Sequence, residues 1–326
     1  MTDLSDRSPR VLLHTDEPAI GLQVLGAAHP DLSVEACDDH ASLPGLLERV
    51  RPEVVYSVRF AGAPGFPREA LLECPSVRWI SVGGSGTDHL RPWSGDRITV
   101  TNAAGVAAGM MAQYVLGAML AFSLGFPGYA AAQRARRWEP RGVEPIDGKT
   151  VLILGLGKTG QAVAGLTSSL GLEVLGVRAT PRPAGQVDEV HPVEALAQLW
   201  GRADFVVVCL PLTASTRGLV DGRAFAAMKP GAVLIDVSRG GVVVEAALLE
   251  ALESGAIRGA ALDVFEVEPL PQEHPLWGCG NVIMTPHCSA VFPGWQEKSM
   301  QMFSANLARY RGGEPLENVV PPERGY

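Results

Sequence analysis

Positive charge is the minority sign in this chain. With 27 lysines and arginines against 35 aspartates and glutamates, its formal net charge is -8, and neither a nucleic acid nor an anionic membrane surface meets the basic patch that its phosphates require. The cysteines do not pair by spacing either. Cys37, Cys74, Cys209, Cys279 and Cys288 are scattered without CxxC, an odd count that suits reduced thiols in a cytoplasm. Cys288 follows His287, yet neither a glycine elbow nor a second base accompanies it, so packing is a better reading than a nucleophile. No metal-ligand spacing, internal repeat or low-complexity tract occurs. The opening residues MTDLSDRSPR are polar and carry acids, which fits neither a secretory signal nor an arginine-rich transit peptide. The expectation is a cytoplasmic globular chain. Its 326 residues, 47% apolar with 37 glycines, allow two domains and a large core.

One segment lacks charge altogether. From Thr101 to Gln133 there is no charged residue, which passes a crude length test for a membrane span. Alanine and glycine dominate it, however, and Gln113, Ser123 and Pro127 interrupt it, so a long buried helix fits better. Small residues at Ala107, Gly109, Ala112, Gly117, Ala118 and Ala121 would let other helices approach closely, at a domain joint or a subunit interface.

The rest alternates strand-like and helix-like segments. RVLLH (10–14), VVYSVRF (54–60), RWISV and RITVTN read as strands, and the segment from Ser42 to Arg49 reads as a helix with Ser42 at its N-cap. A polar linker (134–150) precedes VLIL, EVLGV, FVVVCL, AVLIDV, GAALDV and NVIMT, six near-continuous apolar runs. Such runs are strands buried on both faces of a parallel sheet, so this part is a doubly wound α/β domain. A last helix, Trp295 to Tyr310, is expected to return to the first domain. The expected division is 1–102 with 290–326 for one domain, and 103–289, including the long helix, for the other.

Within VLILGLGKTG, Gly155, Gly157 and Gly160 make GxGxxG between a strand and a helix. The first glycine permits the turn, the second admits a pyrophosphate to the backbone and the third lets helix and strand pack; Lys158 and Thr159 open the helix whose positive end faces the phosphate. A dinucleotide is the expected ligand. At the end of the next strand, where a carboxylate would hold the ribose of NAD, stand Arg178, Thr180 and Arg182. These arginines suit the 2′-phosphate of NADP, with NAD still possible; alternatively both are solvated loop residues.

Behind the nucleotide motif come Arg239 in DVSRGG, Glu268 in DVFEVEP and His287 in MTPHCS. Reduction of a 2-keto acid needs a cation for its carboxylate, which Arg239 supplies, and a proton donor for its carbonyl, which His287 supplies. Glu268 would take the second ring nitrogen and favour the imidazolium. Each follows an apolar strand, at the edge that lines the ligand crevice of doubly wound folds. Taken singly, each could be a loop or turn residue; their joint order favours chemistry. His89 and His274 are weaker candidates, because neither follows a strand of that domain.

At these residues the chain resembles the D-isomer-specific 2-hydroxyacid dehydrogenase family, through SGTDHL, VTNAAG, GLGKTG, CLPLTASTRGLV, DVSRGG, AALDVFEVEPLP and NVIMTPH. The resemblance implies a Rossmann-type domain inserted into a flavodoxin-like substrate domain, with the active site in the cleft between them. Arg239, Glu268 and His287 match the catalytic arginine, glutamate and histidine, and Asp263 matches an acid near the nicotinamide carboxamide. Pro211, in CLPLTASTRGLV, joins the cofactor set. Gly84, Ser85 and Gly86 match a loop whose amides contact the substrate carboxylate, and the helix near 103–126 matches one used in family homodimers. Arg178, Trp138 and the ending PLENVVPPERGY resemble the glyoxylate and hydroxypyruvate reductase branch. Gln113 departs from the glutamate usual in that helix. Arg59 could select a second acidic group on the substrate or be a surface residue. Formate dehydrogenases of the superfamily carry glutamine where Glu268 stands, which disfavours formate. The expected activity is reduction of a small 2-keto acid to the D-2-hydroxy acid. A dinucleotide-sensing, corepressor-like regulator of the same fold is the alternative.

Overall fold

Two parallel sheets organise the chain in a computed structural model that describes residues 8–58 and 65–323. One compact unit takes the residues up to Val106 and those from Phe292 onward, and the other is Ala107–Val291.

In the first unit, β1 (Val11–His14), α1 (Pro18–Ala28), β2 (Val34–Cys37), α2 (Leu43–Val50), β3 (Val54–Ser57), α3 (Arg68–Glu73), β4 (Trp79–Val82) and β5 (Thr99–Asn102) follow one another. The sheet order β2-β1-β3-β4-β5 is that of flavodoxin-like folds. Strand side chains alternate between faces, and here both faces are covered. Leu12, Val55 and Ile80 point to one core with Leu43, Leu47 and Leu71 of α2 and α3. Val11, Leu13, Val54 and Trp79 point to the other. Ser42 precedes α2 without capping it, because its hydroxyl donates to Asp39 instead.

The second unit begins with α4 (Ala108–Ser123) and α5 (Phe126–Arg134). The charge-free stretch from Thr101 to Gln133, expected to form one long helix, is therefore two helices, bent by 62°. Gly125, at φ +72°, makes the break, a left-handed conformation that favours glycine. Among the described residues no single helix is long and apolar enough to cross a membrane; this bent pair alone passes that test jointly. Then come β6 (Thr150–Leu154), α6 (Lys158–Ser169), β7 (Glu173–Val177), β8 (Glu189–His191), α7 (Leu196–Leu199), β9 (Phe205–Val208), α8 (Gly222–Ala227), β10 (Val233–Asp236), α9 (Glu245–Glu253), β11 (Gly259–Leu262) and β12 (Val282–Met284).

The order β12-β11-β10-β9-β6-β7-β8 is a doubly wound Rossmann sheet, all parallel, of seven strands rather than six. The added strand, β8, is a half-buried edge of three residues. Val151, Ile153, Val207 and Ile235 face a core closed by α4 and α6. Leu152, Val206 and Leu234 face one closed by α7, α8 and α9. Helix α10 (Trp295–Arg311) then packs on α1, placing Met300, Phe303 and Leu307 in the first unit's core.

Ile235 is fully buried at the middle of the Rossmann sheet, whereas Leu22 on α1 is 44% exposed. Ile235→Ala is expected to cost roughly 2–5 kcal/mol by urea unfolding, from lost transfer energy plus a cavity. Leu22→Ala should stay within about 0.5 kcal/mol.

Candidate active site

The strand order reverses between β6 and β9, the position where doubly wound folds bind ligands. Strand β6 runs into Gly155, at φ +97°. A Cβ on Gly160 would lie 1.9 Å from the carbonyl oxygen of Gly155, so only glycine lets α6 pack so closely on the turn. Gly157 occupies the N-cap of α6, no side chain caps that helix, and a Cβ there would stand in open space with nothing within 4 Å. Uncapped N–H groups facing open space at a helix start fit a diphosphate.

At the end of β7, Arg178 is half-buried and Thr180 and Arg182 are exposed. Glu173, the carboxylate of this strand, lies at the opposite end, bonded to Arg202 at 3.1 Å and Thr150 at 2.8 Å. The residues that follow β7, from Arg178 to Arg182, include no acid. The other sequence-predicted cofactor residues are less uniform. Lys158 is exposed, but the Thr159 hydroxyl faces the sulfur of Met111 at 3.6 Å, and the Pro211 carbonyl accepts the Thr216 hydroxyl at 2.6 Å.

The loops after β10, β11 and β12 carry Arg239, Glu268 and His287. Because these strands are neighbours, residues far apart in sequence meet. His287 Nδ1 lies 2.8 Å from Glu268 Oε2, and Glu268 Oε1 accepts the Phe265 N–H at 3.0 Å. Burial raises the Glu268 carboxyl, but hydrogen bonds from His287 and Phe265, with the charges of His287 and Arg239, bring it below its ordinary value. The two side chains retain 42% and 37% of their exposure. An ion pair that open adds little to stability, on the order of 0–1 kcal/mol, so its geometry suits chemistry better than folding. Arg239 is half-buried, and its Nη1 donates to the Ser238 carbonyl at 2.7 Å. Glu245 accepts the Glu266 N–H at 2.6 Å, and Glu266 accepts the Glu245 N–H at 3.2 Å, next to the Glu268 loop.

Beneath the trio lie two buried acids. Asp236 accepts the N–H and hydroxyl of Ser238 at 2.9 and 2.6 Å, next to Arg239. Burial pushes its carboxyl up to about 7; Ser238 and Arg239 oppose the shift, and Asp263 adds to it. Asp263 is 1% exposed. Its oxygens accept the Thr285 hydroxyl at 2.6 Å and the N–H groups of Cys288 and Ser289 at 2.8 and 3.0 Å. Tyr114 of α4 meets the same Thr285 hydroxyl at 2.7 Å. Sequence reading missed Asp236, Ser238, Thr285 and Tyr114. An aspartate inside each of the apolar runs LIDV and ALDV was the available signal, since a buried acid needs partners.

Each remaining candidate has its own local setting. Gly84, Ser85 and Gly86 form a loop after β4, with Asn102 donating to the Ser85 carbonyl at 2.7 Å. His274 pairs with Glu245 at 3.3 Å, His89 packs edge-on against Phe66 at 4.8 Å, and Gln113 is exposed on α4. Arg59 lies outside the described residues. Among the described residues no group of acids, histidines and cysteines is arranged to hold a metal.

A Rossmann sheet with this glycine turn, and a histidine–glutamate pair and an arginine at neighbouring strand ends, defines a nucleotide-dependent oxidoreductase. Residues 116–289 match the family described as D-isomer specific 2-hydroxyacid dehydrogenase, NAD binding domain. The glyoxylate reductase of Thermococcus gammatolerans is 30% identical over 97% of this chain and 96% of its own. The D-3-phosphoglycerate dehydrogenase of Methanocaldococcus jannaschii is 32% identical over 84% of this chain, which spans 53% of that longer protein. The NADPH-dependent glyoxylate/hydroxypyruvate reductase from Sinorhizobium meliloti, solved with NADP and sulfate, superposes with a TM-score of 0.83 at 29% identity, covering 98% of this chain and all of its own. The chain belongs to the D-isomer specific 2-hydroxyacid dehydrogenase family.

Asp236 gives a signed pH prediction. Its carboxyl is held near 7 in the fold against an ordinary 3.8, so between about pH 4 and 7 the unfolded chain is ionised there while the folded one keeps the proton. Folding stability contributed by this group therefore falls as pH rises across that window. Asp236→Asn should flatten that slope, a difference on the order of a few kcal/mol between pH 4 and 8 in urea titrations. Parallel slopes for parent and variant would exclude the raised carboxyl.

Proposed function

We infer that the protein reduces a small 2-keto acid of the glyoxylate or hydroxypyruvate kind to its D-2-hydroxy acid, preferring NADPH. The observation that carries this reading is the exposed 2.8 Å pair of His287 and Glu268, at the strand edge that also presents Arg239. With Nδ1 engaged by a carboxylate, Nε2 is the ring nitrogen left to act on substrate. Arg239 binds the carboxylate and draws charge from the carbonyl, and His287 delivers a proton from Nε2 to the carbonyl oxygen. Glu268 stabilises the imidazolium before transfer and keeps the ring oriented afterwards. Gly155, Gly157, Lys158, Thr159 and Gly160, with Pro211 and Asp263, would hold the nicotinamide cofactor, which when bound would supply the hydride. One hydride and one proton convert the carbonyl to the hydroxyl.

Arg178 and Arg182, with Thr180, are proposed to hold the 2′-phosphate; the absence of an acid from Arg178 to Arg182 and the NADP complex of the Sinorhizobium enzyme support this. Gly84, Ser85 and Gly86 remain proposed carboxylate ligands, and Arg59 a proposed selector of substrate. A homodimer through the helix near 103–126 is supported by Gly109 and Gly117, whose outer sides meet nothing within 4 Å, and by Phe126 and Trp138, exposed at 55% and 97%. The five free cysteines support the cytoplasm as the compartment.

Oxidation of NADPH and NADH against glyoxylate, hydroxypyruvate and pyruvate tests the reaction. Absence of turnover with the nucleotide bound would favour the regulatory alternative. His287→Ala is expected to lower kcat by about 10²–10⁴-fold while NADPH affinity changes less than about twofold; equal losses in both would overturn the assignment. Replacing Arg178 and Arg182 by serine should raise the KM for NADPH by about tenfold or more, and leave that for NADH nearly unchanged. An unchanged cofactor preference would refute the phosphate reading.

A further inference from the structure

His287 has a left-handed backbone, at φ +52°. For a residue with a side chain that conformation is strained and persists only where neighbouring contacts over-determine it. The contacts here converge on one buried carboxylate. Its own N–H closes a tight turn on the Thr285 carbonyl at 3.0 Å, and the next two N–H groups, of Cys288 and Ser289, both donate to Asp263. Thr285 contributes the third donor, its hydroxyl at 2.6 Å from Asp263 Oδ1. A hydroxyl has one proton, and this one is given to the carboxylate. The 2.7 Å contact between Thr285 and Tyr114 therefore has the phenol donating. Burial pushes that phenol up to about 12, so it stays a donor across working pH. The bonds run in one direction, from Tyr114 on α4 through Thr285 to Asp263, which grips the residues just after His287.

We propose that Thr285 is a positioning residue for His287, acting through Asp263 and oriented by Tyr114. Hydrogen bonds to a buried carboxyl group are costly to leave unmade, and three of them converge here to hold the turn. Without the threonine hydroxyl, Asp263 Oδ1 keeps only the Cys288 N–H, and the turn is free to relax toward an ordinary backbone. The imidazole then leaves its place against Glu268, and a displacement of about 1 Å is enough to cost about 10²-fold in rate. The inference rests on the reading of His287 as proton donor.

Thr285→Val keeps the shape and removes the hydroxyl; Thr285→Ser restores it. With glyoxylate and NADPH, Thr285→Val is expected to lower kcat by about 10–100-fold, with substrate KM and NADPH Kd within about threefold. Thr285→Ser should keep at least about half the parent kcat, and Tyr114→Phe should lose about threefold. In a His287→Ala background, Thr285→Val should change the residual rate by less than about twofold, because the two act through one group. The proposal is overturned by a Thr285→Val kcat within about twofold of the parent, by a serine variant as slow as the valine one, or by the same factor of loss with and without His287. Should Thr285→Val fail to fold, Tyr114→Phe takes its place in the double-mutant comparison, with the same criteria. A His287→Ala enzyme as fast as the parent sinks the proton-donor reading itself, whereas an impaired His287→Ala beside a fully active Thr285→Val sinks only the positioning role. If glyoxylate is not reduced, amide hydrogen exchange at Cys288 and Ser289 decides. Acceleration of about tenfold in Thr285→Val, reversed by serine, supports the chain of bonds, and unchanged exchange overturns it.

Discussion

A carboxyl group buried at a strand end must be surrounded by donors, and two such groups hold the candidate active site together. Asp236 ends β10 and Asp263 follows β11, the neighbouring strand, and the Asp263 N–H donates to the Asp236 carbonyl at 3.0 Å. Burial of an acid in an apolar sheet is costly unless its oxygens are satisfied. Each aspartate therefore recruits the loop beside it: Asp236 takes Ser238, the residue before Arg239, and Asp263 takes Thr285, Cys288 and Ser289, on either side of His287. The loops are thereby tied to the ends of the strands.

The geometry above these acids is consequently specified from below, while the reactive groups remain open. Glu268 and His287 face solvent with more than a third of their side-chain surface, where their attraction contributes little to folding. The cofactor end follows a similar division. Gly155 and Gly160 are set by contacts within the fold, and Gly157 opens onto empty space at an uncapped helix start. In both places a tightly determined backbone presents exposed polar groups, which is how a rigid scaffold places chemistry at its surface.

Much of this was legible in the residues. Continuous apolar runs such as VLIL, FVVV and VLID read correctly as strands buried on both faces, because both faces of the sheet carry helices. The glycine turn was likewise readable, and Arg239, Glu268 and His287 do each follow such a run. Where the reading failed, the local signal was weak or misleading. Strand β8 has three half-buried residues and no apolar run. The charge-free stretch looked like one helix, but Gly125 in a left-handed conformation turns it by 62°, a conformation that glycine permits but does not require.

By itself the sequence determined the class of fold, the nucleotide turn and the residue types available for chemistry, because hydrophobic period, glycine spacing and the order of polar residues behind strands are local properties. Tertiary structure alone decided which side chains meet. Parallel strands bring Glu268 to 2.8 Å from His287 and Tyr114 to 2.7 Å from Thr285, across 19 and 171 residues of chain. Such pairings depend on strand order and on how α4 packs against the sheet, neither of which any local run of residues encodes.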